Sequence, residues 1–401
     1  MTASALGRVL SQQPEEFAAD VWGRRPWLSR AADLPRDFDD LFTLDDVDEI
    51  VAVRGLRSPF VRMAKDGVVL PARRFTGSGG AGAEISDLLS SDGVFTEMMD
   101  GATLILQALH RTWPPVIEFV TRLAAEIGHP VQANAYVTPA RQRGFDPHHD
   151  VHDVFVIQVA GRKAWRAWTP VLESPLATQA WVQPADGDET FSERPPAFEA
   201  KLAPGDALYL PRGWVHVAES LGETSAHLTI GVHPVTRYDV VQSMTSLLAD
   251  DVRLRRELSF PFSVDDMDQA DLAAIREQMV DSLAALPLEA VAEELRRRMN
   301  RRSLPMPIRP LAQQAAVTSV GPTTRVRRRD ALTARVHTSG DRVIITLPDR
   351  QISLPIITEQ AITALLTGEP HHAGSLPGLD AADGVVVVRR LLREAVLVPA
   401  N

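Results

Sequence analysis

Between residues 102 and 235 of this 401-residue chain, short β-prone runs recur at close intervals and are cut apart by Gly, Pro and Asp. Ala135-Tyr-Val-Thr, Val154-Phe-Val-Ile-Gln-Val, Lys163-Ala-Trp-Arg-Ala-Trp, Ala207-Leu-Tyr-Leu and His227-Leu-Thr-Ile-Gly-Val are short and rich in β-branched and aromatic residues. Ala160-Gly-Arg162 and Pro204-Gly-Asp206 place turns between them. Such a series predicts an antiparallel barrel or sandwich. A helix over Pro115 to Ile127 leads into the block.

The flanks follow other periods. Residues 1 to about 100 mix short helical patterns with loops. The glycine cluster Gly77 to Gly82 lacks both a Gly-Lys-Ser/Thr ending and a strand-to-helix frame, so it reads as a surface loop and not a phosphate cradle. From 236 to 303 apolar residues step by three and four, at Val241, Met244 and Leu248 and again at Leu272, Ile275, Met279, Leu283 and Leu286. This stripe predicts helices that pack either on the barrel or against a second copy of the chain. Pro305 to Pro322 reads as a connector. Beyond it, strands are expected near Leu332 to Val336, Val343 to Leu347 and Gln351 to Leu354, with Ser339-Gly-Asp341 as a hairpin turn. Helices are expected over Ile356 to Leu366 and Ala381 to Arg393, and that order suits a winged-helix-like unit. The expected domains are 1–235, 236–304 and 305–401.

The chain has no cysteine, which removes disulfides, thiolate zinc sites, iron–sulfur clusters and a cysteine nucleophile. Any metal must be held by His, Asp or Glu. Apolar residues make up 45% and charged residues 23%, the balance of a globular chain. Apolar runs such as Val385 to Val388 fall far short of the roughly 20 residues of a spanning helix. The first residues lack the basic start and apolar stretch of a secretory signal, so a cytoplasmic protein is expected. A net charge of −10 argues against general nucleic-acid affinity. The segment from 306 onward is locally basic, with 11 Arg and no Lys against 8 acidic residues. Its candidate recognition helix, 356–366, carries no Arg or Lys, which favours an interaction or scaffold role over DNA binding.

The chemistry concentrates in two segments. In Gly205-Asp-Ala-Leu-Tyr-Leu-Pro-Arg-Gly-Trp-Val-His216, a strand enters a tight Pro-x-Gly turn and the chain returns with His216 facing inward. In Asp146-Pro-His-His-Asp150, extended backbone would put His148 and Asp150 on one face while His149 points away. Two imidazoles and one carboxylate form the facial triad that leaves open positions on Fe(II). Zinc fits less well, because no obvious water-activating base accompanies the three residues. His152 shares the face parity of Asp150 and is either a decoy ligand or a structural or substrate-side group.

The stretch Gly144-Phe-Asp-Pro-His-His-Asp-Val-His-Asp-Val-Phe-Val-Ile-Gln-Val-Ala-Gly-Arg-Lys-Ala-Trp-Arg-Ala-Trp168, together with Pro204 to His216, closely resembles the ribosomal oxygenases, cupin/JmjC proteins that hydroxylate ribosomal-protein side chains. Phe17 to Trp27 resembles that family's N-terminal segment, 236–303 its helical dimerisation domain and 320–401 its winged-helix-like C-terminal domain. The resemblance implies an α+β chain, with a double-stranded β-helix (cupin/JmjC) barrel followed by a helical domain and the C-terminal unit. It implies His148, Asp150 and His216 as iron ligands, with 2-oxoglutarate and O2 as cosubstrates. Lys163 would pair with the distal carboxylate of 2-oxoglutarate. The residues support that role separately: a dicarboxylate chelating iron at one end needs a cation one strand away, and Lys163 heads the next strand after the Gly161 turn. Arg162 is the alternative cation, although alternation puts it on the other face. Asn134, Tyr136 and Thr229 match positions that line the cosubstrate pocket.

The implied reaction is hydroxylation of a protein side chain, Arg or His of a ribosomal protein, by a homodimer. Two alternatives stay open: the same chemistry on another peptide or a small metabolite, or a non-enzymatic cupin sensor joined to a nucleic-acid-binding module.

Overall fold

A computed structural model describes residues 4–82, 84–182, 191, 194–258 and 260–400. The chain forms two compact units, Met1–Pro234 and Val235–Asn401. Among the described residues no helix is long and apolar enough to cross a membrane.

The first unit contains strands β1 (Trp27–Ser29), β2 (Val61–Lys65), β3 (Val68–Val69), β4 (Thr76–Gly77), β5 (Leu88–Leu89), β6 (Thr103–Leu106), β7 (Val131–Thr138), β8 (Asp153–Ala160), β9 (Lys163–Trp168), β10 (Phe198–Leu202), β11 (Ala207–Leu210), β12 (Val215–Ser220) and β13 (Ser225–Val232). Eight make one sheet in the order β1-β11-β8-β13-β7-β6-β2-β3, and β10-β9-β12 make a second. The pairings of both sheets are antiparallel. All five expected strands form. β10, which sequence patterning leaves unseen, and β12, the strand on which the chain returns with His216, complete the small sheet.

The first hundred residues differ from their expected mixture of helix and loop, because β1, β2 and β3 extend both edges of the large sheet. These strands are two to five residues long, too short to display a period of their own. They form because neighbours offer unpaired edges: β1 lies on β11 and β2 on β6.

The large sheet is buried on both faces, which is why β8 reads as a nearly continuous apolar run. One face joins Ala133, Ala135, Val137, Phe155, Ile157, Leu228 and Ile230 to side chains of the N-terminal segments and the Pro114–Ile127 helix, among them Phe17, Phe42, Val116 and Leu123. The opposite face joins Val154, Val156, Leu208 and Leu210 to Trp165, Ala167, Ala200 and Leu202 of the small sheet.

In the second unit, helices run over Arg237–Leu247, Gln269–Ala285 and Leu288–Arg302. Thr236 and Asp239 cap the first reciprocally. The expected connector at Pro305 to Pro322 instead contains a helix, Pro310–Ser319. Proline misled the reading there, since at the first helical position its missing N–H costs nothing. Strands β14 (Arg325–Arg328), β15 (Arg335–Ser339), β16 (Arg342–Thr346), β17 (Gln351–Pro355), β18 (His371–His372) and β19 (Leu397–Pro399) make two three-stranded sheets. With helices Glu359–Leu365 and Ala381–Arg393 they enclose a core that includes Val326, Ile345, Ile362, Leu365, Val388 and Leu391. Leu332 belongs to this core from a turn outside β15. The Leu272, Ile275 and Met279 stripe stays 52%, 36% and 40% exposed, so its own unit does not cover it.

Candidate metal centre

Period-two alternation on five strands builds one cavity: Tyr136 and Thr138 from β7, Val154 and Val156 from β8, Lys163 and Trp165 from β9, His216 and Ala218 from β12, His227 and Thr229 from β13. His148 and Asp150 enter from the loop before β8 and complete its wall.

That loop is not a strand of either sheet. His148 makes a single antiparallel bridge with His216: its N–H donates to the His216 carbonyl at 3.1 Å, and the His216 N–H donates back at 2.8 Å. The Gly213 N–H donates to the Asp150 carbonyl at 3.0 Å. Gly213 makes this return possible. Its φ is +84°, and a Cβ there would lie 2.6 Å from the Leu172 carbonyl oxygen. The Pro211-Arg-Gly213 turn therefore sets His216 beside His148, with ring centroids 4.6 Å apart.

One ligand atom from each of His148, Asp150 and His216 lies within 4.8 Å of the others. His216 Nε2 is 3.8 Å from the Asp150 carboxylate. Both imidazoles are aimed by their own backbone. His148 Nδ1 lies 2.8 Å from the Asp146 carbonyl and His216 Nδ1 lies 3.0 Å from the Trp214 carbonyl. A carbonyl only accepts, so each Nδ1 carries the proton and each Nε2 keeps its lone pair for a metal. Burial, reinforced by His148, pushes His216 down to about 4, so it is neutral at ordinary pH. Burial alone would raise the Asp150 carboxyl, but the surrounding imidazoles, His152 first, hold it below the usual carboxylate value. The set is thus two imidazoles that present Nε2 and one carboxylate, the donor chemistry that suits Fe(II).

His152 does not join this group. Bends at residues 151 and 152 end the alternation that would have aligned it with Asp150. Its Nδ1 is 3.9 Å from the Asp150 carboxylate, and its ring packs 5.1 Å from that of His233. His149 faces away, beside Trp181, as alternation requires.

Lys163 lies in the same cavity wall. Its side chain is 4% exposed, and Nζ donates to Thr138 Oγ1 at 3.0 Å. Among the described residues no carboxylate is paired with it, and burial alone lowers its pKa to about 7. A buried cation without an anion is costly unless a ligand supplies one. Arg162 heads away from this wall by alternation, as expected; it is not among the lining residues.

Tyr136 and Thr229 line the cavity, whereas Asn134 spends its amide oxygen on the Ala108 N–H at 3.0 Å and is not among the lining residues. Ala108 has φ +56°, a left-handed conformation that this bond supports. The sequence reading did not single out Thr138, Trp165 and His227. Each stands two residues from a predicted site residue on the same strand, so parity alone pointed to them.

Comparison with known proteins agrees with this geometry. Residues 115–240 match the JmjC domain model. Ribosomal oxygenase 2 of Rattus norvegicus is 37% identical over 142 residues, 33% of this chain and 29% of that protein. Ribosomal oxygenase 1 of Gallus gallus is 32% identical over 220 residues, 54% of this chain and 34% of that protein. The chain thus spans about a third of the length of the curated relatives it matches. The ribosomal oxygenase YcfD of Escherichia coli matches in structure with a TM-score of 0.57, covering 97% of this chain and 98% of that one at 18% identity. The same protein in complex with cobalt and 2-oxoglutarate gives 0.56 at 18% identity, covering 98% and 99% of the two chains. At such identity the likeness is one of fold. Residues 115–240 therefore match the JmjC domain, in a chain similar to the ribosomal oxygenases.

Proposed function

We propose that this protein is an Fe(II)- and 2-oxoglutarate-dependent oxygenase that hydroxylates a protein side chain, Arg or His of a ribosomal protein. One observation carries the reading: a two-imidazole, one-carboxylate triad and a buried lysine with no anion among the described residues open onto the same cavity. His148, Asp150 and His216 would hold the iron on one side, leaving positions for cosubstrate and O2. Lys163, steadied by Thr138, would take the distal carboxylate, and Tyr136 and Thr229 would flank it, with Asn134 supporting the wall from behind. Bound iron would supply the O2 activation that couples oxidation of 2-oxoglutarate to hydroxylation of a C–H bond. The protein's own part is to fix the donors in advance, aimed at one point, and to keep water from a site walled by Trp165, Val154, Val156 and Phe145.

The ribosomal target rests on the relatives named ribosomal oxygenases. Comparing intact masses of ribosomal proteins with and without the gene tests it, with loss of a single oxygen mass as the expected result. The site assignments fail independently if Asp150→Ala keeps full turnover.

The same reading makes 1–235 a catalytic domain built on a double-stranded β-helix, 236–304 a dimerisation domain and 305–401 a winged-helix-like domain, in a cytoplasmic homodimer. The exposed Leu272, Ile275 and Met279 stripe supports the dimer. The helix Glu359–Leu365 carries no Arg or Lys, which supports an interaction or scaffold role for the last domain over nucleic-acid binding.

A further inference from the structure

Four rings line the cavity in a row that ends on His216 of the triad. Tyr136 and His227 stack at 5.1 Å with planes 5° apart, His227 meets the Trp165 edge at 5.5 Å and 83°, and Trp165 lies over His216 at 5.9 Å and 28°. His227 is the one member of this row with no role in the chemistry described so far. Its side chain is 3% exposed, and its Nδ1 is buried with no hydrogen-bond partner among the described residues.

Leaving a polar ring nitrogen unsatisfied in a buried wall is unfavourable, and such groups point to a partner that arrives from outside. The row offers it none: its neighbours on either side present ring faces and edges. The neighbouring ammonium of Lys163 and burial both hold the imidazole neutral, burial first. A neutral imidazole next to a cation has one N–H to give and repels no anion. A carboxylate has about four lone-pair sites. Lys163 cannot fill them alone, because one of its three protons already goes to Thr138.

We infer that His227 is a specificity-determining residue for the cosubstrate: its ring N–H donates to the distal carboxylate that Lys163 neutralises, so that a dicarboxylate is selected over a 2-oxo acid with an uncharged end. The inference rests on the cosubstrate reading of the cavity. Because His227 sits on β13 and touches neither triad imidazole in the ring packing, its effect belongs to the far end of the ligand and not to the metal.

The test is calorimetric titration of the intact Mn(II)-loaded protein, whose bound metal does not turn over, with 2-oxoglutarate and with 2-oxopentanoate, which ends in methyl. His227→Phe keeps the ring stack and removes both nitrogens. It is expected to weaken 2-oxoglutarate at least tenfold, to leave 2-oxopentanoate and Mn(II) affinities unchanged, and to preserve the circular dichroism spectrum. His227→Gln, which restores an N–H, should recover part of the loss. Equal loss for both ligands, or no loss for either, would overturn the inference and reduce His227 to packing. If the wild-type protein bound both ligands alike, the distal subsite itself would fall, and with it the reading of Lys163.

Discussion

Replacing Lys163 by Ala should weaken 2-oxoglutarate binding by an amount that depends on pH, and the structure sets both the size and the direction. The ammonium is buried and meets no carboxylate among the described residues, so a bound dianion would give it an ionic hydrogen bond in a water-poor site. Such a bond contributes about 1.5–3 kcal/mol. At 1.4 kcal/mol per factor of ten, that is one to two orders of magnitude in affinity. The full difference appears below pH 7, where Lys163 is charged before the ligand arrives. Burial has lowered its pKa to about 7, so above that value the free protein is increasingly neutral there and must take up a proton to bind. By linkage the wild-type dissociation constant should rise by about fivefold between pH 7 and pH 8, and the gap to Lys163→Ala should narrow by the same factor. Titration calorimetry of Mn(II)-loaded protein, repeated in buffers of different ionisation enthalpy, measures the affinity and the proton count together. Mn(II) affinity should not change, because Lys163 offers no ligand atom to the triad. A wild-type affinity that stays flat from pH 6 to 8.5 without proton uptake, or an unaltered constant in Lys163→Ala, would refute the argument and make Arg162 the next cation to examine.

The same buried charge should be visible without any ligand. Since the folded pKa lies below the ordinary lysine value of 10.5, the unfolded chain binds more protons between pH 7 and 10.5, and stability should rise with pH across that window. Urea midpoints of Lys163→Met should lack this slope. Metal-free protein should regain 2-oxoglutarate turnover with Fe(II) and not with Zn(II), and His148→Ala, Asp150→Ala or His216→Ala should abolish it; metal affinity measured by equilibrium dialysis is the check. Gly161 has φ +59°, and a Cβ there would lie 2.1 Å from the Thr224 carbonyl oxygen. Gly161→Ala should therefore cost more than the roughly 1–2 kcal/mol of a left-handed residue and, by shifting Lys163, weaken cosubstrate binding as well. Exchanging Leu272 and Ile275 for Glu should turn a dimer into a monomer in sedimentation at micromolar concentration, and a wild-type monomer would reject the proposed interface.

Much of the site was legible in the sequence because β-structure converts spacing into direction. A residue two places from another on a strand faces the same way, so His216 and Ala218, or Tyr136 and Thr138, share one wall. The Pro211-x-Gly213 turn and the Gly161 turn are equally local, being dictated by proline's fixed φ and glycine's freedom at positive φ. The absence of cysteine restricted the donor set to imidazole and carboxylate without any knowledge of the fold.

Tertiary structure decided what depends on partners distant in the chain. The strands of the first hundred residues exist because β11 and β6 present open edges, and two to five residues carry no period that could predict them. Asn134 shows the limit of parity: it shares the face of Tyr136, yet its amide turns to the Ala108 backbone, because a left-handed residue there needed an acceptor. His152 shows the same limit from the other side, where two bends end the alternation just past Asp150. That, among the described residues, a nitrogen of His227 has no hydrogen-bond partner and Lys163 no anion was beyond sequence altogether. Whether a buried polar group has a partner is a property of everything packed around it, and only folding brings that surrounding together.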